Sequence, residues 1–446
     1  MKIRQLFLAA GLIYSQVQAQ NTLVFRHANI ISGTSDKIQT NQTLLVRDGI
    51  IVSLYAEGGQ LPKDATYIDV TGKYLMPTLF NMHGHLGIIK GNTNAAGNYT
   101  ADNVRNQLRR YQQYGVGAVL SMGTEQPLLL PLRDSSRAGV LPGAIIYSAL
   151  YGFGVADGAP PVAMGMTRVF RPETPEQARQ QVDSLAALKP DVIKIWVDDF
   201  GGSMPKMKPE IYTAILQRAH QKGIRVAAHV YYLEDARKLV RLGLDIIAHS
   251  IRDKEVDEAF ITQMKQHRVV YIPTLSLDEF AYAYEQTPAW VNDPFFRTSL
   301  EPGVYEMVTS AAYKQKVMND PKTAKEKAAL KTAMRNLVKL YRAGVMIALG
   351  TDSGAMPIRP QGFAEHQEME LMVQAGLTPG EVIEISTLNG ARLLGTAHTQ
   401  GSIETGKQAD FIILDANPLS DIRNTHKINA VYLKGRQVSY GPSGAY

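Results

Sequence analysis

The chain contains no cysteine. That excludes structural disulfides, a lipobox-type lipid anchor and any thiolate metal site, which leaves imidazole and oxygen groups to bind an ion. An exported protein of this length does not need disulfides, so the absence is permissive. Beyond residue 20, no apolar run approaches the ~20 residues of a membrane-spanning helix. Charge of one sign is scarce too: a formal net charge of +6 over 446 residues, with no dense Lys/Arg run, gives nucleic-acid binding no support. No Gly-x-Gly-x-x-Gly loop follows an apolar stretch, and repeats and low-complexity tracts are missing. What is present is 45% apolar content, enough to bury a large core as one big domain plus a smaller one.

The first residues have a separate explanation. Lys2 and Arg4 make a basic start, Leu6 to Tyr14 is a short, mostly apolar stretch, and Val17-Gln18-Ala19 offers a small-residue cleavage site. This is the layout of a secretory signal over residues 1–19, too short for a membrane span. Its removal takes two charges with it and leaves +4. The expected product is secreted or periplasmic, with no membrane insertion.

Residues 20–76 read as short strands with turns. Leu44 to Arg47 and Ile50 to Val52 flank Asp48-Gly49, a strong hairpin signal. The tail, 398–446, is similar: Asp410 to Leu414 is a strand, and Val431-Tyr432-Leu433 precedes a Lys434-Gly435 turn. Two β-rich ends around a long middle predict one small β-sandwich built from both termini. The middle, residues 77–397, alternates apolar strands with helical stretches. Eight strands are expected: Leu75 to His85, Gly117 to Ser121, Ala144 to Ser148, Val192 to Val197, Arg225 to Val230, Asp245 to His249, Val269 to Ile272 and Val345 to Leu349. The fold class is therefore α/β, a (β/α)8 TIM barrel, whose site lies at the C-terminal strand ends. The long connection from Thr274 to Gly344 carries Phe280, Tyr282, Tyr284, Trp290, Phe295 and Phe296, as either a lid or a packed helical hairpin.

Ligand-type residues sit at those ends. His83 and His85 close the first strand, two apart and so on one side. Lys194, His229, His249 and Asp352 each end a later strand. Alternation places Val192, Lys194 and Trp196 inward, and likewise Ala227 and His229. It places Ile247 and His249 inward with Ile246 and Ala248 outward, and puts Ala348, Gly350 and Asp352 on one side. Asn81 is expected inward as well. A lysine buried in a barrel is costly unless neutralised or paired. Neutral imidazoles and carboxylates suit Zn2+ and similar ions, and an ion-bound water can ionise near pH 7. Asp352 could bind one metal and take the water's proton.

His-x-His on the first strand, lysine on the fourth, histidines ending the fifth and sixth and aspartate ending the eighth resemble the amidohydrolase superfamily. The local phrases Ile193-Lys194-Ile195-Trp196, Ala227-Ala228-His229-Val230-Tyr231, Ala248-His249-Ser250 and Gly376-Leu377-Thr378-Pro379 look most like its imidazolonepropionase-related, prolidase-like branch. The likeness covers nearly the whole mature chain. It implies two divalent metal ions, of which Zn is the first choice. His83 and His85 with Asp352 would hold one, His229 and His249 the other, and an N6-carboxylysine at Lys194 would bridge them. It also implies that Tyr231 hydrogen-bonds a substrate carbonyl oxygen. The chain departs at the first motif, where Asn81 and Pro77-Thr78 stand for the usual aspartate and Pro-Gly; Asn81 would then orient a ligand from behind, without charge.

His366 follows the eighth strand at an expected helix start and is expected to serve structurally or behind the ligands, while His220, His267, His398 and His426 read as surface. Asp198-Asp199 either line the pocket or cap the next element, and Arg171 overhangs the site. The expected activity is cleavage of an amide bond in a dipeptide or N-acyl amino acid by a metal-bridging hydroxide, with Asp352 as general base. The alternatives are an esterase, lactonase or phosphotriesterase on the same site, and a non-catalytic binding protein. A mononuclear deaminase fits less well, because that branch typically lacks the fourth-strand lysine. The expected partner is a small-molecule substrate, and an oligomer is compatible with the sequence.

Overall fold

The computed structural model describes residues 22–442 apart from 57 and 163–165, so residues 1–19, expected to be a secretory signal, lie outside the described residues. The chain opens with β1 (Thr22–Ile31), β2 (Ile38–Arg47), β3 (Ile50–Ala56), β4 (Thr66–Asp69) and β5 (Tyr74–Pro77). The middle contains β6 (Leu79–Gly84), a small hairpin of β7 (Ile89–Lys90) and β8 (Thr93–Asn94), then β9 (Val116–Ser121), β10 (Ile145–Ser148), β11 (Ile193–Trp196), β12 (Val226–His229), β13 (Ile246–Ala248) and β14 (Val270–Ile272). The chain ends with β15 (Phe411–Leu414), β16 (Ile428–Leu433) and β17 (Arg436–Ser439).

The strands from the two ends form one mixed sheet in the order β17-β16-β15-β5-β1-β2-β3, with β4 also on β1. The sheet folds over a single core, so that Phe25 of β1 meets Phe411 edge-on at 5.1 Å and Tyr432 at 5.0 Å. Both hairpin turns expected from sequence form. Asp48 and Gly49 have φ of 49° and 82°, and Lys434 and Gly435 have 47° and 68°. Two successive positive φ values match the right-handed twist of the flanking strands.

The middle strands are parallel and close into a ring. β10, β9 and β6 pair in order, as do β11 to β14. Between β10 and β11, Asp191 N–H donates to Ser148 O (2.9 Å), and Phe153 bonds to both Lys194 O (2.8 Å) and Trp196 N (3.0 Å). The eighth member is an extended segment rather than a regular strand. Tyr271 N–H donates to Met346 O (2.9 Å), Ala348 N–H to Tyr271 O (3.0 Å) and Met82 N–H to Leu349 O (2.8 Å), so it is bonded on both sides. Helices lie between the strands, and among the described residues none is long and apolar enough to cross a membrane.

Strand parity decides what reaches the barrel interior. Val192, Ala227, Val270, Ile272 and Ala348 pack inside, whereas Ile193, Ile195, Val226, Ala228, Ile347 and Leu349 pack in the core shared with the helices. The floor is formed by the helix Leu388–Leu394, whose Gly390 lies so close to Phe80 that an added Cβ would sit 2.3 Å from the Phe80 Cβ. Two parity expectations fail. In β13 it is Ile246 that packs inside and Ile247 outside. In β6, Asn81 pairs with Val119 but Gly84 pairs with Ser121, so the strand carries one extra residue there and Asn81 turns towards the helices instead of the interior. The long connection resolves as packing. Phe280, Tyr284, Phe295 and Phe296 are buried with Tyr114 and Phe363, although the helix Thr323–Arg342 still reaches the mouth through Lys325.

Candidate metal centre

The ligand candidates meet at one mouth. His85 Nε2 lies 2.9 Å and His83 Nε2 3.3 Å from Asp352 Oδ1, and one ligand atom from each of these three residues falls within 4.8 Å of the others. Lys194 Nζ is 3.4 Å from His83 Nε2. The His249 ring stands between those of His83 and His229, with centroids 4.3 Å from each. All six residues are buried. Gly350 leaves the room, since a Cβ there would sit 2.7 Å from the His83 Cβ.

Local backbone geometry aims two of the ligands. His249 and Asp352 have φ of 74° and 58°, left-handed values that are strained for non-glycine residues and tend to persist where the surroundings over-determine them. For His249 this corrects the parity: Ala248 continues the inward set that includes Ile246, and the left-handed residue after it turns the imidazole back to the mouth.

The imidazoles of His83, His229 and His249 are held in ligand form. Burial, followed by the Lys194 charge, pushes His83 well below its ordinary range, and burial and neighbouring His229 do the same for His249. Burial lowers His229 against the opposing effect of Asp198. Three second nitrogens have fixed partners: His85 Nδ1 with Thr124 Oγ1 (2.9 Å), His249 Nδ1 with Thr274 Oγ1 (2.9 Å) and His229 Nε2 with Asp198 Oδ2 (2.8 Å). Such bonds set which nitrogen is free to bind an ion. His83 Nδ1 is buried with no hydrogen-bond partner. Burial alone would raise the Asp352 carboxyl, but the Arg359 guanidinium and the two imidazoles hold it well below the usual range, so it is an anion. Burial pushes Lys194 down to about 7, against the pull of Asp352 and Glu125. A donor set of neutral imidazoles and an ionised carboxylate, with a lysine able to shed its proton, fits divalent ions.

Other residues fall differently. Tyr231 is half-buried beside the centre, its ring flanked by Arg252 at 4.7 Å and Lys325 at 5.2 Å. Asp198 supports His229, whereas Asp199 accepts from Tyr232 Oη (2.9 Å), so the acidic pair splits. Arg171 is taken up by carbonyls of its own loop, including Pro160 O at 2.5 Å. His366 does not serve the ligands. Its Nε2 bonds Tyr114 O (2.9 Å) and its Nδ1 bonds Thr425 Oγ1 (2.9 Å), joining the barrel to the returning segment. Asn81 acts outside the barrel wall, accepting His83 N–H at 2.9 Å. Sequence reasoning missed Thr124, Thr274, Arg359 and Glu125. Glu125 is fully buried, pushed up to about 7 by that burial, and carries an unpartnered Oε1.

A closed α/β ring with His-x-His, lysine, two histidines and aspartate at its C-terminal mouth defines a metal-binding barrel of the amidohydrolase type. The comparisons agree: the profile of the Amidohydrolase family matches residues 74–438, and the chain belongs to that family. Within it, the chain sits in the imidazolonepropionase-related, prolidase-like branch. Imidazolonepropionase from Salmonella agona (strain SL483) is 24% identical over 423 residues, 90% of each chain. Ochratoxinase from Aspergillus niger is 27% identical over 248 residues, which are 55% of this chain; the match spans only 44% of that protein's length. A putative prolidase from Bifidobacterium longum superposes with a TM-score of 0.73 at 27% identity, covering 95% of this chain and 96% of the other.

Proposed function

We propose that this protein is an exported, metal-dependent amidohydrolase that cleaves an amide bond in a dipeptide or an N-acyl amino acid. The observation that carries this reading is the convergence of six buried ligand-type side chains, with His83, His85 and Asp352 already within mutual ligand distance. The amide chemistry is supported by the family and by relatives named as a prolidase and an imidazolonepropionase.

His83, His85 and Asp352 would hold one divalent ion and His229 and His249 a second, with Lys194 between them as its carbamate. That carbamate forms when neutral Nζ bonds the carbon of CO2 and releases a proton, and an amine near pKa 7 has the neutral form available at physiological pH. When bound, the ions supply Lewis acidity and make a water acidic enough to ionise near neutrality. Asp352, kept ionised, takes the proton of the attacking water and returns it to the leaving nitrogen. Tyr231, two residues after His229, donates its hydroxyl to the carbonyl oxygen as negative charge grows there.

The test is elemental analysis of the purified protein, followed by assays on dipeptides and N-acyl amino acids with and without a chelator. Two ions per chain and chelator-sensitive hydrolysis are expected. No bound metal after dialysis against zinc with bicarbonate overturns the hydrolase reading in favour of a binding protein.

A further inference from the structure

One wall of the centre is held by side chains as well as by backbone. The eighth segment meets β6 out of regular strand register, through bonds such as Asp352 N–H to His83 O (2.7 Å) and His85 N–H to Ser353 O (2.8 Å), and His83, His85 and Asp352 lie on either side of that seam. Behind it, fully buried Glu365 gathers four donors. Its Oε1 accepts from Asn81 Nδ2 (2.6 Å), Thr351 Oγ1 (2.8 Å) and Ser353 Oγ (2.8 Å), and its Oε2 accepts from Gly362 N–H (2.7 Å). Three of these contacts lead towards a ligand. Asn81 Oδ1 accepts His83 N–H (2.9 Å), Thr351 and Ser353 bracket Asp352, and Ser353 O accepts His85 N–H (2.8 Å). Gly84 keeps the space open, because a Cβ there would lie 2.8 Å from Tyr111 Oη and 3.1 Å from Asn81 Nδ2.

We infer that Asn81 and Glu365 form a matched pair in which Glu365 is a positioning residue for the His83–His85–Asp352 group. The 2.6 Å contact requires one donor and one acceptor. Asn81→Asp sets two carboxylates against each other. Glu365→Gln forces an amide nitrogen towards either Asn81 Nδ2 or Gly362 N–H, both donors. Exchanging the two groups restores a consistent network. The carboxylate at 81 still accepts His83 N–H, the amide at 365 donates to it and accepts Gly362 N–H, and the Thr351 and Ser353 hydroxyls rotate to suit.

This inference rests on the metal-centre reading, and the experiment separates the two. Metal-free wild type, Asn81→Asp, Glu365→Gln and the double variant are titrated with Zn2+ against a chelating indicator. Their visible absorption is recorded with Co2+ in its place. Each single variant should lose about tenfold or more in affinity for the tightest ion, the range found when groups behind metal ligands are removed. The double variant should return to within about threefold of wild type with the wild-type Co2+ spectrum, a coupling that independent sites do not show. Affinity in the double variant equal to the combined single losses, or a double variant that does not fold, overturns the pair. If a single variant does not fold, a folded double variant with wild-type affinity supports it. Wild type that binds neither ion refutes the metal reading instead, and the pair is then judged by the same cycle on the melting temperature of metal-free protein, where additivity overturns it.

Discussion

Lys194→Met should stabilise the metal-free protein at neutral pH while removing the residue proposed to bridge the centre. The lysine is fully buried, and its pKa falls from 10.5 to about 7, chiefly through lost hydration. Below pH 7 the folded state must keep a buried ammonium, and the full penalty is present. Between about 7 and 10.5 the folded lysine is neutral while the unfolded one still binds a proton. The unfolded state thus holds more protons, and wild-type stability rises with pH across that window. At 1.36 kcal/mol per unit the whole penalty is on the order of 5 kcal/mol, relieved at about 1.4 kcal/mol per pH unit above 7. Methionine fills a similar volume without the charge, so it should show no such rise. Glu125 next to it does not reverse the sign. Without the lysine its carboxyl is pushed higher still, which narrows the gap between the two proteins over the same alkaline range. The assay is the urea midpoint of both chelated proteins in CO2-free buffer from pH 6 to 9. The variant should be the more stable at pH 6–7, and its advantage should shrink steadily towards pH 9. A pH-independent difference, or a wild type more stable at pH 6, would refute the burial argument.

Three further outcomes follow from the site. Tyr231→Phe should keep its metal content while kcat/KM falls about 10- to 1,000-fold, as expected for loss of one donor to a developing oxyanion; unchanged kinetics would leave Tyr231 as a packing residue between Arg252 and Lys325. Thr274→Val removes the hydroxyl that fixes the His249 ring while keeping its shape, and should weaken retention of the ion that His229 and His249 would hold about 10- to 100-fold in chelator competition. Equal retention would show that ring packing alone orients His249. N-terminal sequencing of the protein recovered from outside the cytoplasm should begin at Gln20; an intact Met1 there would remove the claim of a cleaved signal, and finding the protein only in the cytoplasm would remove the export claim.

The fold was legible because strand parity leaves a strong mark. Apolar residues alternate with ligand-type ones in Val192 to Val197 and Arg225 to Val230, and the inside and outside sets in these strands are the expected ones. The failures occur where a single residue breaks the period. An extra residue in β6 turns Asn81 to the outside, and left-handed His249 rescues its own inward direction after a strand of opposite parity. Neither event has a signature in the residue types, since histidine in a left-handed conformation looks like any other histidine. His366 takes the structural one of its two expected roles. One step along a helix is about 100° around its axis, so His366 and Glu365 point to different layers.

The supporting residues were invisible because they belong to neighbouring strands. Thr124 follows β9 and holds His85 just after β6, Asp198 follows β11 and holds His229 on β12, and Thr274 follows β14 and holds His249 just after β13. The separations along the chain are 39, 31 and 25 residues, and Glu365 reaches Asn81 across 284. A ligand motif is local, but what aims each ligand is the extension of the adjacent strand beyond the barrel rim, and so depends on ring register. This division has a chemical consequence. A substitution at a ligand removes an ion, whereas a substitution at Thr124, Asp198 or Thr274 leaves the donor set whole and frees only its orientation. The second kind should therefore be recoverable by excess metal, and the first should not.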